Sequence, residues 1–213
     1  MVGPPADGTA AQKKSLHAQE QETPEGQRRR QAWREAIGQI DPAQLVFLDE
    51  SGASTQMTRN YGRAARGQRV REATPSSHWR TLTMLAALTR EGLQAPMTIE
   101  SATDGDVFLA YLEQVLCPRL RPGQVVIMDN LAAHKVAGVR EHIEATGAHL
   151  VYLPPYSPDF NPIEQAWSKI KQSLRSAKAR TAEALETAIA EALTKITSGN
   201  ASAWFSHCGY GLQ

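Results

Sequence analysis

Four consecutive apolar residues, Val125 to Met128, follow the turn pair Pro122-Gly123 and stop at Asp129 and Asn130. A run this short and this apolar predicts a strand buried on both faces. In open α/β sheets the carboxyl end of such a strand is where ligand chemistry sits, which gives Asp129 its interest. A second apolar run, Leu45 to Leu48, ends the same way in Asp49 and Glu50. After Asp129 come 34 residues and then Glu164, just inside a helix opened by Asn161 and Pro162. Two strand-end aspartates and a helix-start glutamate can converge into one cluster of negative charge. Such a cluster is unfavourable without a cation, and Mg²⁺ is the oxygen-seeking cation of phosphoryl chemistry.

The rest of the chain supplies the scaffold. Residues 1–40 are polar, with Pro4-Pro5, Lys13-Lys14 and the Arg28–Arg30 triplet, and read as an arm or linker. Within it, Gln27 to Ile40 can form a helix using Trp33, Ile37 and Ile40. Residues 41–213 read as one domain. Residues 53–73 fit a second strand and a mobile basic loop, Arg80–Leu88 a third strand, and Ala95–Ile99 a further one after the Glu91-Gly92 turn. Asp104 is placed to cap a helix bearing Val107, Phe108, Tyr111 and Leu112 on one side. A helix over about Lys135–Thr146 stops at Gly147, and His149–Leu153 forms the next strand before Pro154-Pro155. From Pro162, the stripe Ile163, Ala166, Trp167, Ile170 and Leu174 has the helical period. Thr181 caps a last amphipathic helix. Early strands are consecutive and later ones alternate with helices, so the predicted fold is α/β with a mixed sheet flanked by helices.

The net charge of +1 announces no nucleic-acid partner, but its distribution is uneven. Arg59 to Arg71 holds five arginines and no acid, and Lys169 to Arg180 holds five basic residues and no acid. Segregation of this kind makes basic patches beside an acidic site, although either run alone is also ordinary solvated surface. Cys117 and Cys208 have no metal-ligand spacing, which excludes a zinc ribbon and favours a reducing compartment. No segment has the length and apolarity of a membrane span or signal peptide, so a cytoplasmic protein is expected.

Each candidate has a structural alternative. A strand-end Asp commonly bonds nearby backbone amides in a turn. The set Asn161, Pro162 and Glu164 also matches a helix cap. Repetition of the acid after two buried strands, and the rigidity of the segment from Tyr152 to Asn161, favour the site. Glu50 would face away from Asp49, and Asp159 reads as a turn residue bonding its own backbone. His134 and Lys135 follow Asp129 closely enough to lie near bound phosphate. Trp167 reads as core, and Trp79 as core or a stacking surface.

The segments LVFLDESG, VVIMDNLAAHK and LPPYSPDFNPIEQAWSKIK together resemble the DDE transposases of the mariner-like superfamily, in its bacterial insertion-sequence branch. The resemblance spans roughly residues 10–210, including the YGRAARGQR loop, and the proline-rich segment ending in NPIE is its most specific part. It implies an RNase H-like fold and a DNA-cutting enzyme that uses two Mg²⁺ or Mn²⁺ ions. The catalytic, metal-holding triad would be Asp49, Asp129 and Glu164, with Asn130 and His134 nearby. Arg59, Arg63, Arg66, Arg69, Lys135, Lys169 and Lys171 are the candidate DNA contacts. The implied reaction is cleavage at transposon ends followed by attack of the freed 3′-hydroxyl on target DNA. The implied partners are DNA and a second copy of the chain, in a nucleoid-associated setting. Such transposases carry helix-turn-helix domains ahead of the catalytic domain, and only 48 residues precede Asp49 here. A carboxyl-terminal portion is therefore expected, joined to an upstream recognition frame by frameshifting or left as a truncated remnant. A stand-alone RNase H-type nuclease and a catalytically silent DNA-binding remnant are the alternatives.

Overall fold

The computed structural model describes residues 18–101 and 103–211. The first part of the polar arm, with Pro4, Pro5, Lys13 and Lys14, lies outside the described residues. Among the described residues five strands make one sheet: β1 (Leu45–Ser54), β2 (Thr81–Thr89), β3 (Gly92–Ile99), β4 (Val125–Met128) and β5 (His149–Tyr152). Their spatial order is β3-β2-β1-β4-β5. The β1–β2 and β2–β3 pairs are antiparallel, whereas β1–β4 and β4–β5 are parallel. This is the mixed sheet that the run of early strands and the later alternation predict.

β4 is buried along its whole length, as a strand with parallel neighbours and helices on both faces must be. Alternation sorts the β1 side chains between two cores. Leu45 and Phe47 pack with α1 (Pro24–Ile37), α4 (Ile163–Ala177), α5 (Ala182–Thr194) and α6 (Ser198–His207). Val46 and Leu48 pack on the opposite face, against α2 (Gly105–Tyr111) and α3 (Val139–Glu144). The apolar stripe of α4 is the seam of the first core, with Ile163, Ala166, Trp167, Ile170 and Leu174 all buried. At about 1.5–3 kcal/mol for each large side chain removed from water, that stripe fixes α4 firmly on the sheet.

Several elements differ from the sequence expectation. No separate strand forms over residues 53–73. β1 itself continues to Ser54, because β2 offers it an antiparallel partner as far as Ser54↔Thr81, and an irregular loop then runs to residue 80. The expected helix over 135–146 is a 3₁₀ turn, Ala132–Lys135, followed by α3, with Gly138 at φ 98° between them. The helix from Thr181 is not the last one. Thr197 caps a further helix, α6, accepting from the Asn200 amide and burying Ala201 and Phe205. The expected helix over 27–40 begins at Pro24, capped by Thr23, and ends at Ile37. It lies on the first core through Trp33 and Ile37, so the later half of the arm segment is docked.

Candidate active site

β1 and β4 run parallel, and their register pairs Phe47 with Ile127 at its last recorded step. The next inward-facing position on each strand is an acid, Asp49 and Asp129. Both share a side with Leu45 and Phe47, the face that α4 covers. α4 starts beside them, so Glu164 in its first turn enters the same cleft. The cleft, about 490 Å³, is lined by Asp49, Asp129 and Glu164 together with Asn130, Leu131, Asn161 and the wall from Leu153 to Pro158.

Asp49 is not a strand-end residue as expected. It lies within β1, opposite Ala86 of β2, and only its parallel partner strand has ended. Its side chain is 8% exposed. One carboxylate oxygen accepts the Glu50 amide (2.8 Å), and the other is held loosely by the Asn161 amide group (3.4 Å). Burial above all, and then the negative charge of Glu164, push Asp49 up to about 7, with Asp129 adding to the effect. Glu164 is also raised, first by burial and further by Asp129, although Lys171 opposes this. Its carboxylate makes no side-chain hydrogen bond among the described residues.

Asp129 has the opposite balance. Burial would raise it, but a hydrogen bond from His134 Nδ1 (2.6 Å), the Leu131 amide (3.0 Å) and the charges of His134 and Lys135 hold it below the usual carboxylate range. Both bonds fall on the same oxygen, which leaves the second one open. His134 is fully buried, its ring 4.5 Å from that of Phe108 and its backbone carbonyl accepting from the Tyr152 hydroxyl. Its Nε2 has no partner among the described residues, so the ring's polar contact is the Nδ1 bond to Asp129. Asn130 donates to the Leu153 carbonyl and ties the β4 end to the proline-rich wall.

The helix-cap alternative for Asn161 does not hold. α4 has no side-chain cap; the Glu164 amide bonds the Asn161 backbone carbonyl (3.2 Å), and the Asn161 side chain is turned to Asp49. Asn161 was thus legible as motif but not as a neighbour of Asp49. Asp159 does more than close its own turn. It forms a two-pronged pair with Arg30 of α1 (3.0 and 2.6 Å), and the same guanidinium lies 4.1 Å from the Phe160 ring centroid. Arg30 also bonds Ser157, so α1 holds the loop that delivers Asn161 and Glu164. No sequence pattern pairs residues this far apart.

The basic candidates are dispersed. Arg63, Arg66 and Arg69 are exposed in the loop after β1. Arg59 is bonded to Ser176 of α4 (2.9 and 2.7 Å). Arg180 fixes the base of the same loop through the Thr55 and Met57 carbonyls. Lys169 is committed to the Lys195 carbonyl and to Asn200, where it joins α5 to α6. Lys135 lies 5.5 Å from the Tyr152 ring centroid. Trp167 is core as expected, and Trp79 is exposed.

Among the described residues no group of three His, Cys, Asp or Glu side chains converges tightly enough to enclose an ion. The donor set nevertheless suits hard divalent cations. Three carboxylates line one cleft, two of them resist ionisation, and Asp129 and Glu164 keep oxygens without internal partners. No helix among the described residues is long and apolar enough to cross a membrane.

Comparison with known proteins gives these features a context. No curated protein matches the sequence. Among solved structures, the Mos1 transposase paired-end complex with the left transposon end superposes with a TM-score of 0.74 at 14% identity. That match covers 95% of this chain and 64% of the Mos1 chain. The mariner Mos1 paired-end complex with Mg gives 0.73 at 15% identity over 95% and 65% of the two chains. The Mos1 catalytic domain with Raltegravir and Mg gives 0.61 at 11% identity, covering 86% of this chain and 92% of that domain. At such identities the likeness establishes the fold, the RNase H-like sheet of the Mos1 catalytic domain. Residues 44–186 match the DDE superfamily endonucleases, a span that includes β1, the acid cleft and all of α4, and the chain belongs to that family.

Proposed function

We propose that the chain is the catalytic domain of a DDE transposase, of the bacterial insertion-sequence type, and that it cleaves transposon ends and joins them to target DNA. The observation that carries this reading is the meeting of Asp49, Asp129 and Glu164 in one cleft, where burial and mutual repulsion leave Asp49 hard to ionise. These three residues would hold two Mg²⁺ or Mn²⁺ ions. When bound, the ions supply the activation of the attacking oxygen and the charge stabilisation that phosphodiester cleavage needs. The open oxygens of Asp129 and Glu164 are available as ligands, and His134 keeps the other Asp129 oxygen fixed. Asn161 orients Asp49 from the opposite side. Arg63, Arg66 and Arg69, exposed and without internal partners among the described residues, are the side chains best placed to meet DNA phosphates.

Mos1 complexes hold transposon-end DNA, and some of them contain Mg or Mn. The present chain corresponds to about two thirds of those chains, so end recognition and dimeric synapsis by this protein belong to the proposal. The test is a cleavage and strand-transfer assay with Mg²⁺ or Mn²⁺, comparing wild type with Asp129→Asn. Wild-type cutting and joining that the variant loses supports a transposase, and cutting without joining indicates a nuclease. Undiminished activity in the variant removes the assignment. Replacing Arg63, Arg66 and Arg69 by Ala is expected to weaken DNA binding and to flatten its salt dependence by about two to three in logarithmic slope.

A further inference from the structure

The cleft has an apolar lip that the acid chemistry does not use. Tyr156 lies in the Leu153–Pro158 wall of the cleft and is 59% exposed, and Leu131, three residues beyond the end of β4, also lines it and is 48% exposed. Two large apolar side chains left in water beside three carboxylates are not core, and neither helps to hold a cation. The backbone at Tyr156 adds a second observation. Its φ is +57°, in the left-handed region that aromatic residues rarely adopt. The conformation is fixed from both sides. Pro154 and Pro155 restrict the approach, Ser157 bonds the Pro155 carbonyl and the Arg30 guanidinium, and Gln21 holds the Tyr156 carbonyl. A glycine or asparagine would take up this turn with less strain. A strained, braced and exposed aromatic at the rim of a site is the pattern expected of a ligand contact.

We infer that Tyr156 is a substrate-contact residue that stacks on an unpaired nucleobase next to the phosphate entering the acid cleft, with Leu131 closing the opposite side of that base. The inference rests on DNA being the substrate. It adds that the strand is read beside the reacting phosphate by a π-face, without hydrogen bonds to base edges. Stacking of this kind tolerates any base, so the contact selects for an unpaired nucleotide and not for a sequence. The tyrosine ring makes no hydrogen bond, aromatic or cation–π contact among the described residues, and the rigid turn spares the entropy of positioning it on binding.

The experiment uses a duplex with a short 3′ overhang whose first unpaired base is 2-aminopurine, mixed with protein in Ca²⁺ so that binding is read without cutting. Wild type is expected to bind and to change the 2-aminopurine fluorescence. Tyr156→Phe should do the same. Tyr156→Asn keeps a residue that tolerates positive φ but removes the ring, and should weaken binding roughly tenfold or more with loss of the fluorescence change. Wild-type melting behaviour in Tyr156→Asn would show that the turn is intact. Unaltered affinity and fluorescence in that variant overturn the stacking while leaving the DNA reading in place. A wild-type protein that binds no DNA overturns both. A change of oligomeric state in Tyr156→Asn, with DNA binding untouched, would assign the ring to a protein interface and also overturn it.

Discussion

Asp49 and Asp129 stand on adjacent parallel strands, face the same helix and look alike in sequence, yet their surroundings drive them in opposite directions. β4 stops at Met128, so the chain turns at once and brings the Leu131 amide and His134 onto Asp129. β1 continues to Ser54 against β2, so Asp49 stays inside the sheet with one backbone amide, a distant Asn161 and two carboxylates for neighbours. Asp129 is held as an anion, whereas Asp49 favours its proton. A site of this kind has one fixed anion and one whose ionisation depends on the arrival of positive charge. The backbone path beyond each acid, and not the residue type, decides which is which.

The widest separation between the two should appear on removing each charge. Asp49→Asn and Asp129→Asn are both expected to lower metal-dependent cleavage by about a thousandfold or more. Their effects on folding should have opposite signs. At pH 8 without metal, Asp49→Asn should raise stability by roughly a few kcal/mol, since a buried ionised carboxylate is removed. Asp129→Asn should lower it by about 1 kcal/mol through the weakened bond to His134. Thermal melts of the two variants check this, and shifts of the same sign would break the comparison.

The pH dependence comes from the same contrast. Asp49 is raised from 3.8 to about 7. Its contribution to stability is therefore complete below about pH 4 and is lost as pH rises through 7. Asp129 is lowered, so its contribution is present above its ordinary value and is lost as pH falls through the depressed one. Metal-free protein should melt progressively lower from about pH 5 to 8, and Mg²⁺ should restore more stability at pH 8 than at pH 5. Chelation of the metal at pH 8 should reverse that gain. A flat melting profile that Asp49→Asn leaves unchanged would sink this account.

A smaller effect sharpens the Asp129 side. His134→Leu frees the carboxylate and should raise the Mg²⁺ concentration needed for half-maximal cleavage by about ten- to a hundredfold. His134→Asn, which can present an N–H near the Nδ1 position, should recover part of the loss. The smallest change concerns the Asp49 side alone. Arg30→Ala releases the Asp159 carboxylate and the Phe160 ring, loosening the loop that carries Asn161. Because Asp159 is half exposed, about 1 kcal/mol of stability should go, roughly 2–4 °C in melting temperature. The Asp129–His134 bond should be untouched.

The acids were legible because buried strands and an amphipathic helix leave strong periodic signals, and the three positions are defined by where those signals stop. Asp49 shows the limit of that logic. Its apolar run ends at Leu48, but the strand does not, because a neighbour's backbone and not the local side chains decides how far β1 extends. α6 was missed for a related reason. Ser198 to His207 is rich in small and polar residues, and only Ala201 and Phe205 reveal a buried face. The Asn161–Asp49 and Arg30–Asp159 contacts lie beyond any reading by periodicity, since they join residues 112 and 129 positions apart.

One such long-range contact carries a consequence in time. Tyr210 donates its hydroxyl to the Phe160 carbonyl, 50 residues earlier, and accepts from the Trp33 indole, 177 residues earlier. A nascent chain therefore exposes all three acids well before it gains the tyrosine that braces the segment delivering the glutamate. The bracing of the loop that delivers Glu164 is therefore completed only by a residue made late in synthesis, so its final placement waits on the last helix and the turn that follows it.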